Sequence, residues 1–231
     1  MHEKTAVDNC TMSDPVVDFT TNIDLDKHVC VDFLKLKKGG IDFGKTIVSN
    51  HPQLKGVSDR ATIYHYVTDY YESQLKNIVK EQLDLSRSWR EAEEVFFKNV
   101  SKLFRSDSWQ FNKYACYLSM FNCNPRFLHN GTFQVYYKKE SKIGTVMHEL
   151  MHFKFYDFVK SEIAPKHGII PNQNLWELSE VFNTIVLNLP QFQALSKKKE
   201  VGYPELKKKT VELERIYHQS TDMSDFLHKA L

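Results

Sequence analysis

His148-Glu149-Leu150-Met151-His152 is the stretch whose residue types and spacing could do chemistry. On an α-helix His148 and His152 stand about 40° apart on one face, close enough to share a metal ion. Glu149 lies about 100° further round, where its carboxylate can reach a water on that ion without joining the coordination shell. Two imidazoles and one carboxylate would leave a zinc ion net positive with an open fourth position, lowering the pKa of bound water from ~15.7 toward ~7. Glu149 could take that water's proton and pass it to a leaving amine, so amide hydrolysis needs no covalent intermediate. One zinc ion per chain is the expected cofactor.

The third ligand must come from elsewhere. Continuing the string as H-x-x-G-x-x-H would need Gly and His where this chain has Phe155 and Phe158. Asp157 sits about 140° round the helix from His152 and points away. His167 falls in a connection closed by Pro165 and Gly168 and stays open. The next helical stretch, Leu175 to Leu187 ahead of Pro190, offers Glu177 and Glu180. Asn174 followed by Glu177 has the spacing of an N-cap and its reciprocal partner, which gives Glu177 a structural task in the first turn. Glu180 has no such task and lies among Leu178, Val181 and Phe182, where an unpaired carboxylate is costly unless it meets a cation. Glu180 is therefore the expected ligand, with Glu177 as the alternative.

An H-E-x-x-H helix followed by a helix bearing Leu178-Ser179-Glu180-Val181-Phe182 resembles the gluzincin metallopeptidases, and the small size is similar to that of the single-domain minigluzincins. The resemblance implies His148, His152 and Glu180 as ligands and Glu149 as general base, on a zincin-like fold. It covers residues 133–187, and its gap of 27 residues between His152 and Glu180 is longer than in better-known members. The acidic residue that supports a ligand histidine in the thermolysin-like pattern falls at Thr184 here. Relatives commonly use Tyr or His to stabilise the oxyanion, which makes His218 the first candidate, beside Tyr217 and Tyr156.

The elements that must position these residues follow from periodicity. The fold expected is α+β and zincin-like, a small mixed or antiparallel sheet packed on the H-E-x-x-H helix, with mostly helix elsewhere. Residues 1–57 read as a partly irregular extension with one strand over Val29 to Leu36, and 58–231 as the zincin-like domain. Ser58 opens a helix with the stripe Ile63, Val67, Tyr71, Leu75, Ile78 and Leu83. Ser88 opens a second, with Trp89, Ala92, Phe96, Val100 and Leu103. Strands are expected over 114–121 and 132–137, the latter offering an unpaired edge to an extended peptide. The metal helix spans about 141–160, and Met223 to Leu231 forms a short amphipathic end.

A net charge of +2 over 231 residues makes no demand for nucleic acid, and the lysine runs at 197–199 and 207–209 alternate with glutamates as a solvated face does. No stretch is long and apolar enough to suggest a membrane span. Cys10, Cys30, Cys116 and Cys123 lack metal or disulfide-scaffold spacing, and cytoplasmic, reduced thiols are expected. The functional expectation is a zinc-dependent peptidase acting on peptide or protein substrates. The alternatives are a catalytically silent zincin-fold binding module and a zinc hydrolase of a non-peptide amide or ester.

Overall fold

The computed structural model describes residues 14–167 and 170–231, residue 167 without its side chain. Cys10 and the His167 imidazole lie outside the described residues. Strand β1 (Val16–Thr21) leads into α1 (Ile23–Phe33), and the short strands β2 (Lys37–Lys38) and β3 (Ile41–Asp42) pair ahead of α2 (Phe43–Asn50). Helix α3 (Arg60–Phe104) is followed by β4 (Lys113–Ser119), β5 (Arg126–Phe127) and β6 (Thr132–Tyr136). The remainder is helical: α4 (Lys142–Phe158) with a π-turn to Ile163, α5 (Ala164–His167), α6 (Asn172–Val186), α7 (Pro190–Ser196), α8 (Lys207–His218) and α9 (Met223–Ala230).

The main sheet has the order β1-β4-β6-β5, with β1, β4 and β6 parallel and β5 running antiparallel at one edge. Helix α4 lies on it, Phe153 packing against the Tyr114 and Phe133 rings at 4.9 and 6.2 Å. On its other sides α4 meets α3 and α6 through Phe104–Phe158 at 5.1 Å and Phe155–Phe182 at 5.1 Å. The fold is α+β and zincin-like: a small mixed sheet packed on the helix that carries His148 and His152. Among the described residues no helix is long and apolar enough to cross a membrane.

Three local expectations are corrected. Val29 to Leu36 is not a strand, because Asn22 caps a helix by accepting from the Leu25 N–H at 3.0 Å, and Val29 and Cys30 then fall on its buried face. The two helices at Ser58 and Ser88 are one helix of 45 residues, about 68 Å long at 1.5 Å per residue. Asp59 caps it instead of Ser58, accepting from the Thr62 N–H at 2.8 Å, and the Ser88 hydroxyl donates within the helix to the Asp84 carbonyl at 2.9 Å. No glycine or proline interrupts the chain between Gly56 and Pro125, so nothing breaks the helix. Leu75 and Leu83, assigned to its buried stripe, are exposed. Finally, β6 is not a free edge. It lies between β4 and β5, its Gln134 N–H donates to the Pro125 carbonyl, and its Tyr136 N–H donates to the Asn124 side chain, both at 2.9 Å.

Two buried polar anchors join the segments. On α4, Lys154 is 1% exposed, yet its ammonium donates to the carbonyls of Ser106 and Ser108 just past the end of α3. On α1, the fully buried Asp26 accepts from the Ser119 hydroxyl at 2.6 Å, the Gln134 amide at 2.9 Å and the Met120 N–H at 3.2 Å. Residues 16–57 thus supply both a strand of the main sheet and a pin to its central strands, at the end of β4 and the middle of β6. Burial pushes the Asp26 carboxyl up to about 7 despite these three donors. Between the unfolded value near 3.8 and that folded value the folded state binds more protons, so stability falls as pH rises across the interval. Urea unfolding from pH 4.5 to 7.5 should show wild type losing up to about 3 kcal/mol relative to Asp26→Asn. Parallel stability curves for the two proteins would refute this.

Candidate metal centre

Helix α4 is buried on nearly every side, which places Glu149 at 3% and His152 at 0% exposure. On α6 the face bearing Leu178, Val181 and Phe182 packs inward and carries Glu180 with it, 2% exposed. The Asn183 side chain, one turn further along α6, donates to the His148 carbonyl at 2.8 Å and locks the two helices in register. The result brings three ligand atoms together from two helices. His148 Nε2 and His152 Nε2 are 3.0 Å apart, and Glu180 Oε2 is 3.4 Å from each.

The triad matches what zinc requires. Ligands at about 2.0–2.1 Å around a tetrahedral ion stand about 3.3–3.4 Å apart, and these separations form nearly that triangle. Two imidazole nitrogens aimed at one point would set lone pair against lone pair unless a cation or a proton lay between them. Among the described residues, no other cluster of His, Cys, Asp or Glu is arranged to hold a metal. This is the gluzincin-type ligand arrangement. Comparison with protein-family models, curated proteins and solved structures found no match, so the assignment rests on the triad's own geometry.

Burial and neighbouring charge shift the members of the triad and Glu149 in different directions. Burial and then the nearby Arg126 push His152 down to about 3, which leaves a neutral imidazole, the form that binds metal. Burial works the same way on His148, but the Glu200 and Glu180 carboxylates outweigh it and raise its pKa. Glu180 is held far below the usual carboxylate range, its burial overcome by His152 and His148. Burial lifts Glu149 to about 7, against the pull of His148 and Arg126.

The structure separates the sequence candidates. Glu177 is not with the ligands: it accepts from the Lys209 ammonium at 2.8 Å and the Gln173 amide at 3.0 Å. Nor does it cap, since α6 begins at Asn172 and Asn174 lies inside the helix. His218 is exposed at the end of α8, its ring edge-on to Tyr217 at 5.8 Å, and outside the cleft. Tyr217 packs on Phe226, whereas the Tyr156 hydroxyl meets the Ser179 hydroxyl at 3.2 Å with its ring beside His152. The tyrosine that lines the cleft is Tyr203, which sequence reasoning did not single out.

Two further residues were missed. Glu200 places Oε1 3.2 Å from His148 Nδ1, filling the supporting role that Thr184 lacks. Asn188 holds it there by clamping its backbone at both ends, accepting from the Glu200 N–H and donating to the Glu200 carbonyl, each at 3.0 Å. Gly202 lets this strap close on α6, for a Cβ there would lie 2.6 Å from the Thr184 hydroxyl. The other is Arg126 on β5, with a guanidinium 3.1 Å from Glu180 Oε1 and 3.7 Å from Glu149 Oε2. Neither had a local signal: Glu200 reads as one charge in a lysine-rich run, and Arg126 as a loop cation after Pro125.

Zinc titrations with a competing chelator should show His148→Ala with His152→Ala abolishing binding and Glu180→Ala weakening it by orders of magnitude, while Glu177→Ala retains it. Wild-type affinity in Glu180→Ala would remove the ligand assignment. The same titration should give Glu200→Gln a 10–100-fold weaker affinity, the usual cost of losing a carboxylate behind a ligand histidine. An unchanged value would reduce Glu200 to a surface charge.

Proposed function

We propose that the chain is a zinc-dependent peptidase, with one zinc per chain held by His148, His152 and Glu180. The observation that carries this reading is the placement of Glu149: it is buried next to the triad, its Oε2 has no hydrogen-bond partner, and it lines a cleft of about 330 Å³. A buried carboxylate left with that capacity is costly as a structural feature, whereas a general base needs it. When bound, zinc supplies a Lewis acid that polarises a carbonyl and makes water acidic near neutral pH.

The chain's own residues do the rest. Glu149 accepts a proton from the attacking water and delivers it to the departing amine nitrogen, ending ionised as it began. The walls of the cleft come from Asn124 and Arg126 at the β5 edge and from Val201 and Tyr203 on the facing strap. An extended peptide laid beside β5 would add a strand to the sheet, with its scissile carbonyl over the triad. Tyr203 is the better-placed donor to a developing oxyanion than His218, since it lines the cleft and its hydroxyl is pushed up by burial and by Glu180 and Glu149. We place the protein in the cytoplasm, supported by the buried, unpaired thiols of Cys30, Cys116 and Cys123.

Glu149→Gln should keep stoichiometric zinc and the wild-type fold while lowering cleavage of an unbiased peptide library by about 10²–10⁴ or more. Undiminished cleavage would sink the mechanism, and lost zinc would make Glu149 a ligand. A zinc-loaded wild type that cleaves no member of the library would favour a binding module instead.

A further inference from the structure

The Glu180 carboxylate is divided between two neighbours. Oε2 faces His148 Nε2 and His152 Nε2 at 3.4 Å, and Oε1 accepts from Arg126 Nη2 at 3.1 Å. A carboxylate beside a zinc ion can bind through one oxygen or both, and the second would take up the open position that a hydrolase needs. The Arg126 side chain is 16% exposed, and its other nitrogen, Nη1, stands 3.7 Å from Glu149 Oε2. A cation costs free energy to bury so close to a metal site, and a guanidinium brings a planar fork able to address two carboxylates at once. Its ring neighbour, Tyr156, lies under the guanidinium at 5.9 Å and is itself tied to Ser179 on α6. The fork is thus held on both sides.

We propose that Arg126 is a positioning residue that restricts Glu180 to one ligand oxygen, keeping the fourth metal position open and Glu149 aimed at it. This rests on the reading of His148, His152 and Glu180 as a metal site. It gives a second role to an arginine that is 16% exposed on an edge strand only two residues long, and whose charge also offsets that of buried Glu180.

Cobalt(II) loaded in place of zinc reports the ligand number directly, because its visible d–d bands are most intense in a four-coordinate tetrahedral site and weaken when a further ligand binds. Arg126→Gln should load with cobalt but show markedly weaker bands than wild type, as the freed Oε1 turns to the ion. In the zinc-loaded protein kcat should fall about 10²-fold with KM little changed. Arg126→Lys guards against misfolding: it keeps the charge, loses the fork and should show the same weakening. Identical spectra in wild type and both folded variants would overturn this inference alone, as would a folded Arg126→Gln that takes up no cobalt. Wild type that takes up no cobalt would overturn the metal reading and this inference with it.

Discussion

Glu180 carries a negative charge into the seam between α4 and α6 and is 2% exposed there. A carboxylate so placed is tolerated only beside positive charge or a metal. The two imidazoles and the Arg126 guanidinium surround it at 3.1–3.4 Å, so the same seam that closes the hydrophobic core also assembles the triad. Packing and site formation are one event. If α6 were rotated by one residue, about 100°, Glu180 would leave the imidazoles and the inward face of Val181 and Phe182 would be lost together.

The surrounding elements limit the motion of that seam. Helix α3 packs on α4 and meets both α4 and α6 through Phe104 at its end, while Lys154 reaches from α4 to the carbonyls just past the end of α3. Glu81 on α3 pairs with Lys142 at the start of α4 at 2.8 Å, fixing the other end. A helix pinned at both ends and packed on a sheet presents His148 and His152 with little rotational freedom, which is what a metal site of fixed geometry demands.

The cleft has two walls of different origin. One is the β5 edge with Arg126, paired to β6 in the main sheet. The other is the strap from Lys198 to Tyr203, held by the Asn188 clamp and by Gly202 lying close to α6. Each wall sends one charged group inward: Arg126 to the ligand carboxylate, and Glu200 to the back of a ligand histidine. The triad is therefore oriented from two directions by groups outside the two helices that bear it.

His148, Glu149 and His152 were determined by the sequence alone, because their mutual placement needs only one helical turn, and helical geometry is local. Glu180 was also within reach, since a carboxylate among Leu178, Val181 and Phe182 is a burial problem visible from its neighbours. Only the tertiary structure decided the partners that lie far away in the chain. Arg126 is 54 residues from Glu180, and nothing in its own neighbourhood states what it faces. Glu200 looks solvated until Asn188 and Gly202 fold its strap onto α6. The same division explains the errors in the fold. Val29 to Leu36 has strand-forming side chains, but the Asn22 cap and one-sided burial outweigh propensity. β6 is expected to offer a free edge from its position before the metal helix, but β5 returns antiparallel to cover it. Local geometry fixes how neighbouring residues face one another. Which distant groups meet is settled by packing and by the pairing of buried charge.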